Sequence, residues 1–264
     1  MDGHRRRVPH VPVRGASRAA ALLRPVLWRT FGRGAAYCRP LVAAQGLSES
    51  FVDPALTFIT ANGGTVRVGE TLRAINWQDD KPEALLFETK TVTVAPGDKV
   101  VIATPPSSAQ RLLPGLEAPE GTTAIVNAHM RFDKKVNWAW EAPLVGLIGG
   151  TAQWMFHRDD VVSVTVSGAD ALAAKSAEDI AVLLWRDVAQ ALGHNKANQP
   201  AIRVIKEKRA TFLQSPEQIS RRPGTYTRWP GVFLAGDWTD TGLPATIESA
   251  IISGNQAAIA AMTA

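Results

Sequence analysis

The sequence predicts an α/β chain, and three observations carry that reading. Residues 99–104 (KVVIAT) and 232–235 (VFLA) are continuous apolar runs of buried-strand type, the first ended by Pro105-Pro106. Residues 123–132 (TAIVNAHMRF) and 161–166 (VVSVTV) alternate in the manner of half-buried strands. Ser176 followed by Asp179 gives capping-box spacing, and Ile180, Leu183, Leu184, Val188 and Leu192 then recur near a 3.6-residue period up to Gly193.

The remaining elements follow in order. Residues 1–15 have no period and read as irregular. Residues 16–32 form a helix with Leu22, Leu23, Val26 and Leu27 on its apolar side. Ser48 caps a second helix carrying Phe51, Ala55, Leu56 and Ile59, which Asn62-Gly63-Gly64 stops, since glycine tolerates the left-handed conformation. A short strand over 65–68 ends at Gly69, and a second ladder begins near Leu72. Residues 84–92 form a strand, and Pro96-Gly97 turns the chain. This order of helix, Gly-Gly, strand, hairpin and strand matches part of a layered α/β domain with a small antiparallel insertion. The middle, 122–170, is strand-rich. Trp138, Trp140, Trp154, Met155 and Phe156 there read either as core packing or as the wall of an apolar cavity. Residues 201–212 form a strand charged on one side. The last helix spans 244–262, with Pro244 in its first turn and Ala250, Gly254 and Ala257 allowing close packing.

The 264 residues are 45% hydrophobic, enough for one large core or two small ones. A single cysteine, Cys38, excludes an internal disulfide and a thiolate metal cluster. His4, His10, His129, His157 and His194 form no i,i+4 pair and no H-E-x-x-H, and G-x-S-x-G does not occur, so metal and serine-nucleophile chemistry are not expected. No run approaches the ~18 apolar residues of a membrane span, and the composition reads as a cytoplasmic chain. The charge of +5 is uneven: residues 1–40 hold nine arginines against one acid, Asp2, while the other 224 hold 20 Lys+Arg against 23 Asp+Glu. A basic start without interleaved aromatics, on an acidic body, argues against nucleic acid and leaves peripheral contact with an anionic membrane open.

The junction after residues 232–235 carries the chemistry. Gly236 lets backbone approach closely, and Asp237 lies just past the strand's C-terminal end, where open α/β sheets bind ligands. A carboxylate there accepts hydrogen bonds from hydroxyls, or it simply caps the turn. The helix that follows turns free N–H groups and a positive dipole end outward, suited to a phosphate or an electron-rich carbonyl.

The stretch AGDWTDTGLPATIESAIISG resembles the C-terminal flavin-binding motif of the flavin-containing amine oxidase and phytoene desaturase superfamily. With GRGAAYCRPL from Gly32, GLSESFVDPAL from Gly46, KVVIATPP from Lys99, IVNAHMRFD from Ile125 and GLIGGTAQWMFHR from Gly146, the chain is similar to squalene-associated FAD-dependent desaturases, the hydroxysqualene dehydroxylases of hopanoid biosynthesis. The likeness runs from about residue 16 onward and is expected to involve only the C-terminal part of the family. It implies an incomplete FAD-binding Rossmann-like domain with an antiparallel-sheet plus helix substrate domain. The expected divisions are a basic tail (1–15), part of the substrate domain with the second FAD segment (16–121), the substrate domain (122–212) and a C-terminal FAD segment (213–264).

The resemblance also implies site roles. Asp237, approached across Gly236, meets the ribityl or pyrophosphate region of FAD. Ala245, Thr246 and Ile247 offer backbone N–H groups to the flavin, Leu72 touches the adenine side, and Ala103, Thr104 and Pro105 form a turn near the dinucleotide. The implied reaction is reductive removal of the hydroxyl of hydroxysqualene, an apolar isoprenoid, to give squalene. His157, after the apolar run, is a candidate proton donor, and His129 a second; a structural role is open for each. A G-x-G-x-x-G unit does not occur, and Tyr37 stands where Gly32-Arg-Gly would need its third glycine. Weak FAD binding by the chain alone is therefore expected, with an N-terminal FAD-domain chain as partner. The alternatives are a carotenoid-type desaturase or amine oxidase, and a truncated non-catalytic fragment.

Overall fold

A computed structural model describes residues 14–39, 41–43 and 45–264. The expected irregular tail lies almost wholly outside these residues. The elements begin with α1 (Arg14–Thr30) and a π-helical turn (Ser48–Val52) that continues into α2 (Asp53–Ala61). Then come β1 (Leu72–Gln78), β2 (Lys81–Phe87), β3 (Thr91–Thr93), β4 (Val100–Ile102), α3 (Pro106–Leu112) and β5 (Thr122–Arg131). They continue with β6 (Leu144–Gly146), β7 (Trp154–Arg158), β8 (Val161–Ser167), α4 (Asp170–Ala173), α5 (Ala177–Leu192) and β9 (Ala201–Phe212). The chain closes with α6 (Pro216–Ser220), β10 (Val232–Leu234) and α7 (Ile247–Thr263). The described residues divide into two compact units, one built from residues 14–39, 71–120 and 213–264, the other from 41–43, 45–70 and 121–212. Among the described residues no helix is long and apolar enough to cross a membrane.

The second unit is an antiparallel sheet backed by a helix. Its strand order is β6-β7-β8-β5-β9. Alternation puts Ala124, Val126, Ala128 and Met130 of β5 and Val162, Val164 and Val166 of β8 on one face, where Ile180, Leu184, Trp185 and Val188 of α5 pack against them. α5 starts where Ser176 accepts a hydrogen bond from the Asp179 amide, and ends on left-handed Gly193. Asp187 of α5 accepts from the amides of Thr151 and Ala152 at 2.6 and 3.0 Å and fixes the turn into β7. A Cβ on Gly150 would lie 2.6 Å from that carboxylate, so the Gly-Gly pair makes room for it.

The first unit holds a three-stranded antiparallel meander, β1-β2-β3, and a separate parallel pair, β4 and β10. The two-residue turn of the first hairpin, Asp79-Asp80, has φ of 49° and 60°, the left-handed pair a type I′ turn requires. β10 is buried along its length. On the side away from β4 it is bonded through the Leu234 amide to the Thr225 carbonyl at 2.8 Å.

Several expectations are corrected. No strand forms over 65–68: that stretch has no ladder partner among the described residues, and Val68 is exposed. The strand over 84–92 is a hairpin, β2 and β3, because the chain turns between Phe87 and Lys90 (Phe87 N–H to Lys90 O, 2.8 Å). Ser48 does not cap α2; it opens the π turn, with no side-chain cap at its start. The last helix starts at Ile247 and not at Pro244, since the Thr246 side chain caps it by accepting from the Ser249 amide. Its buried face is Ser249, Ser253, Ala257 and Ala260, whereas Ala250 and Gly254 are exposed: the close-packed stripe is offset from the one expected.

Candidate functional site

β4 and β10 run parallel, with Val232 opposite Val100 and Leu234 opposite Ile102, so both release the chain at the same end. The Ala235 amide bonds the Ile102 carbonyl at 3.0 Å, and the Trp238 indole N–H bonds the Thr104 carbonyl at 2.9 Å. Ala103, Thr104, Pro105, Gly236 and Asp237 are thereby brought to one place. The start of α7 joins them, because Ser253 accepts from the Gly236 amide at 2.8 Å and Ser249 donates to the Asp237 carbonyl at 3.4 Å. Leu72 is not in this group: it opens β1 in the other sheet of the same unit.

Each member has a definite state. Gly236 has φ 140°, and a Cβ there would meet the Trp238 indole nitrogen at 2.5 Å. The glycine is therefore required first by the protein's own tryptophan. The Thr104 hydroxyl is buried without a hydrogen-bond partner, the one such side-chain atom among the described residues. Asp237 is half-buried. Loss of water raises its pKa above the ordinary carboxylate value, and Arg222 and the amides of Asp237 and Trp238 pull in the other direction. The Ala245 amide donates to Gln214 Oε1 at 2.9 Å, so it is engaged within the chain, while Thr246 and Ile247 are exposed at the start of α7.

The group that holds the turn is Arg222, which the sequence reading did not single out. It is 7% exposed. Its guanidinium donates to the carbonyls of Leu243 at 2.7 Å, Asp237 at 3.1 Å, Trp238 at 3.4 Å and Thr239. Burial lowers its pKa, opposed by Asp240 and Asp237. A buried cation spread over carbonyls in this way satisfies a tight turn that has no ladder of its own. Thr241 and Ser249 complete the clasp through a 2.6 Å hydroxyl pair. The only signal of this in the sequence is an arginine in a Pro-Gly loop ahead of the strand.

This arrangement has a definite chemistry. It offers one anionic acceptor and an unpartnered buried hydroxyl, while its cation is committed to carbonyl oxygens. A ligand bearing several hydroxyls complements it; a phosphate beside Asp237 would meet like charge.

In the second unit the two histidines differ. His157 stacks on Trp138 (centroids 4.8 Å apart, 10° between planes), and its Nε2 bonds the Asp159 carbonyl at 3.0 Å, which supports a structural role. His129 sits on the sheet face away from α5, with Nδ1 2.8 Å from the Ser163 hydroxyl. Burial, then Arg203 and Arg158, lowers its pKa and favours the neutral ring. The apolar run is split by strand alternation: Met155 is buried beneath α5, and Trp138 and Trp140 pack on that same core, while Trp154 and Phe156 face the other way.

A family model for flavin containing amine oxidoreductases matches residues 16–262. The chain belongs to that family. Within it, the chain is 42% identical over 241 residues to a hydroxysqualene dehydroxylase of Rhodopseudomonas palustris, covering 91% of this chain and 57% of the relative. It is 41% identical over 245 residues to one of Sinorhizobium fredii, covering 93% and 58%. The likeness thus runs over nearly the full chain, which corrects the expectation that the chain represents only the C-terminal part of the family. The chain spans 57–58% of the length of these two curated relatives. A structure of putrescine oxidase bound to putrescine superposes with TM-score 0.61 over 83% of this chain and 53% of its own, at 16% identity, so the two share an α/β fold.

Proposed function

We propose that the turn at Asp237 takes the ribityl portion of FAD, and that the chain serves the reductive dehydroxylation of hydroxysqualene to squalene. The observation that carries the reaction is the identity with the two dehydroxylases along more than nine-tenths of this chain. Asp237 would accept hydrogen bonds from ribityl hydroxyls, which return to the carboxylate part of the solvation that burial removes. Thr104 would pair its free hydroxyl with the same chain. Gly236 and Trp238 shape the floor, Arg222 and Ser249 hold the Asp237 carbonyl, and Thr246 and Ile247 present the start of α7 to the ring system. Reduced FAD, when bound, supplies the two electrons and the hydrogen that replace the hydroxyl. The C–O bond breaks, and the hydroxyl leaves as water after taking up a proton.

The substrate is a long hydrocarbon with one polar group. The sheet face away from α5 offers Trp154, Phe156 and Ile205 to such a chain, with Asn127, Thr165 and the His129–Ser163 pair as its polar points. A neutral imidazole bonded to a hydroxyl is suited to orient an alcohol.

Because G-x-G-x-x-G does not occur in the 264 residues, the purified protein is expected to carry less than stoichiometric flavin and to bind it on titration. The test of the reaction is anaerobic incubation with FAD, a reductant and hydroxysqualene. Squalene forming only when FAD is present supports the reading. Bound, reduced flavin with no squalene contradicts it, and a more unsaturated product formed when oxidised FAD is supplied without the reductant, with the flavin reduced in step, points to a desaturase.

A further inference from the structure

We propose that α1 is a membrane-docking element that lays its outward face on an anionic lipid surface. The helix has two apolar stripes. Leu22, Pro25, Val26 and Thr30 are half-buried where α1 packs on α6, and Arg29 anchors the helix to α7 by a 2.8 Å ion pair with Glu248. On the opposite side Leu23, Leu27, Trp28 and Phe31 are 54, 46, 64 and 68% exposed. Together with Ala20, Arg24 and Gly32, the first three line a shallow groove of about 390 Å³ that is almost wholly apolar. Gly32 leaves space for the Trp28 ring, which a Cβ there would strike at 2.4 Å.

Charge selects the occupant. Residues 3–48 contain nine arginines and no acidic residue. An apolar stripe with a tryptophan, bracketed by arginines, suits the headgroup boundary of a bilayer: the ring and leucines enter the acyl edge while guanidinium groups stay with the phosphates. A second copy of the chain would bring the same cationic segment against it, whereas anionic headgroups neutralise it. The surface is independent of the substrate reading above; a hydrocarbon substrate held in the bilayer would give it a use.

The test is co-sedimentation of the full chain with vesicles of phosphatidylcholine alone and with about one-third phosphatidylglycerol, at low and high salt. The expected result is at least tenfold stronger partition to the anionic vesicles, weakened by salt. Leu23→Gln/Leu27→Gln/Trp28→Gln should reduce binding tenfold or more. Ile259→Gln/Met262→Gln, at equally exposed positions on α7, should not change it. Equal binding to both vesicles, equal loss in both variants, or a dimer in sedimentation that the α1 substitutions dissociate would overturn the proposal. Squalene formation enters none of these outcomes, so failure here and failure of the reaction assay are distinguishable.

Discussion

Beneath α5 the sheet buries Val126, Met130, Val164, Ile180, Leu184 and Val188, whose side chains carry no hydrogen-bonding groups. The turn after β10 buries Arg222, Thr239, Ser249 and Ser253, and each of these side chains makes hydrogen bonds. The first region is held by apolar area, at about 1.5–3 kcal/mol for each large side chain fully buried. The second is a polar turn between a three-residue strand and a helix, and it depends on one cation satisfying several carbonyls. The difference separates scaffold from candidate site: volume changes damage the first, and lost hydrogen bonds damage the second.

The largest effect is expected where one side chain serves the most partners. Arg222→Leu leaves the carbonyls of Asp237, Trp238, Thr239 and Leu243 without this donor, at about 1–3 kcal/mol for each that stays buried and unpaired. We expect a loss of about 3–5 kcal/mol in denaturant unfolding, together with weaker flavin binding on titration. Arg222→Lys should recover only part of both, since an ammonium cannot span the fork. A loss below about 1 kcal/mol would show that the turn is held by something else.

Leu184→Ala tests the other side of the comparison. The side chain is fully buried, and its truncation should cost about 2–5 kcal/mol. Flavin affinity, measured under conditions where the protein stays folded, should be unchanged. A matching loss of affinity would mean that core and site are not separable.

A smaller effect is expected from pH. His129 has its pKa lowered from 6.5 in the folded state, so the unfolded chain binds the proton more readily. Its contribution to stability is present above about pH 6.5 and is lost as the pH falls through the unfolded and then the folded value. Wild type should lose more stability between pH 7 and 5 than His129→Gln. Parallel curves would remove His129 from the account.

The two regions also differed in how far they could be read from sequence. α5 was legible from its cap to Gly193, because an amphipathic period and a capping box are local signals. β5 and β8 were legible from alternation, and β9 from charges confined to one side. The strand over 65–68 failed because a β-pattern forms a strand only when a partner is present, and no local signal supplies one. The split between Trp154 and Met155 was implicit in the strand's period of two, yet a run of apolar residues reads as one surface until the strand is placed. At the site, Gly236 and Asp237 were legible from strand-Gly-Asp-turn-helix. Arg222 was not, since its role depends on a fold-back that puts it against carbonyls 15 to 21 residues further on. Ser249 and Ser253 are not legible either, because the small residues Ala250, Gly254 and Ala257 suggest a stripe on the neighbouring face of α7.

The central claim is that Asp237 is the acceptor for a flavin's hydroxyl chain. It is tested most directly by titrating FAD into wild type and Asp237→Asn and following flavin fluorescence, with thermal unfolding of each flavin-free protein measured in parallel. Burial raises the Asp237 pKa, so the folded state pays for its ionisation, and stability falls as the pH rises from 3.8 through the folded value. The account therefore predicts that Asp237→Asn is as stable as wild type at neutral pH or more so, by up to about 2 kcal/mol. It also predicts at least tenfold weaker FAD binding by the variant, and wild-type binding that weakens as the pH falls through the Asp237 pKa. Equal FAD affinity in the two proteins, or no saturable binding by wild type, would contradict it.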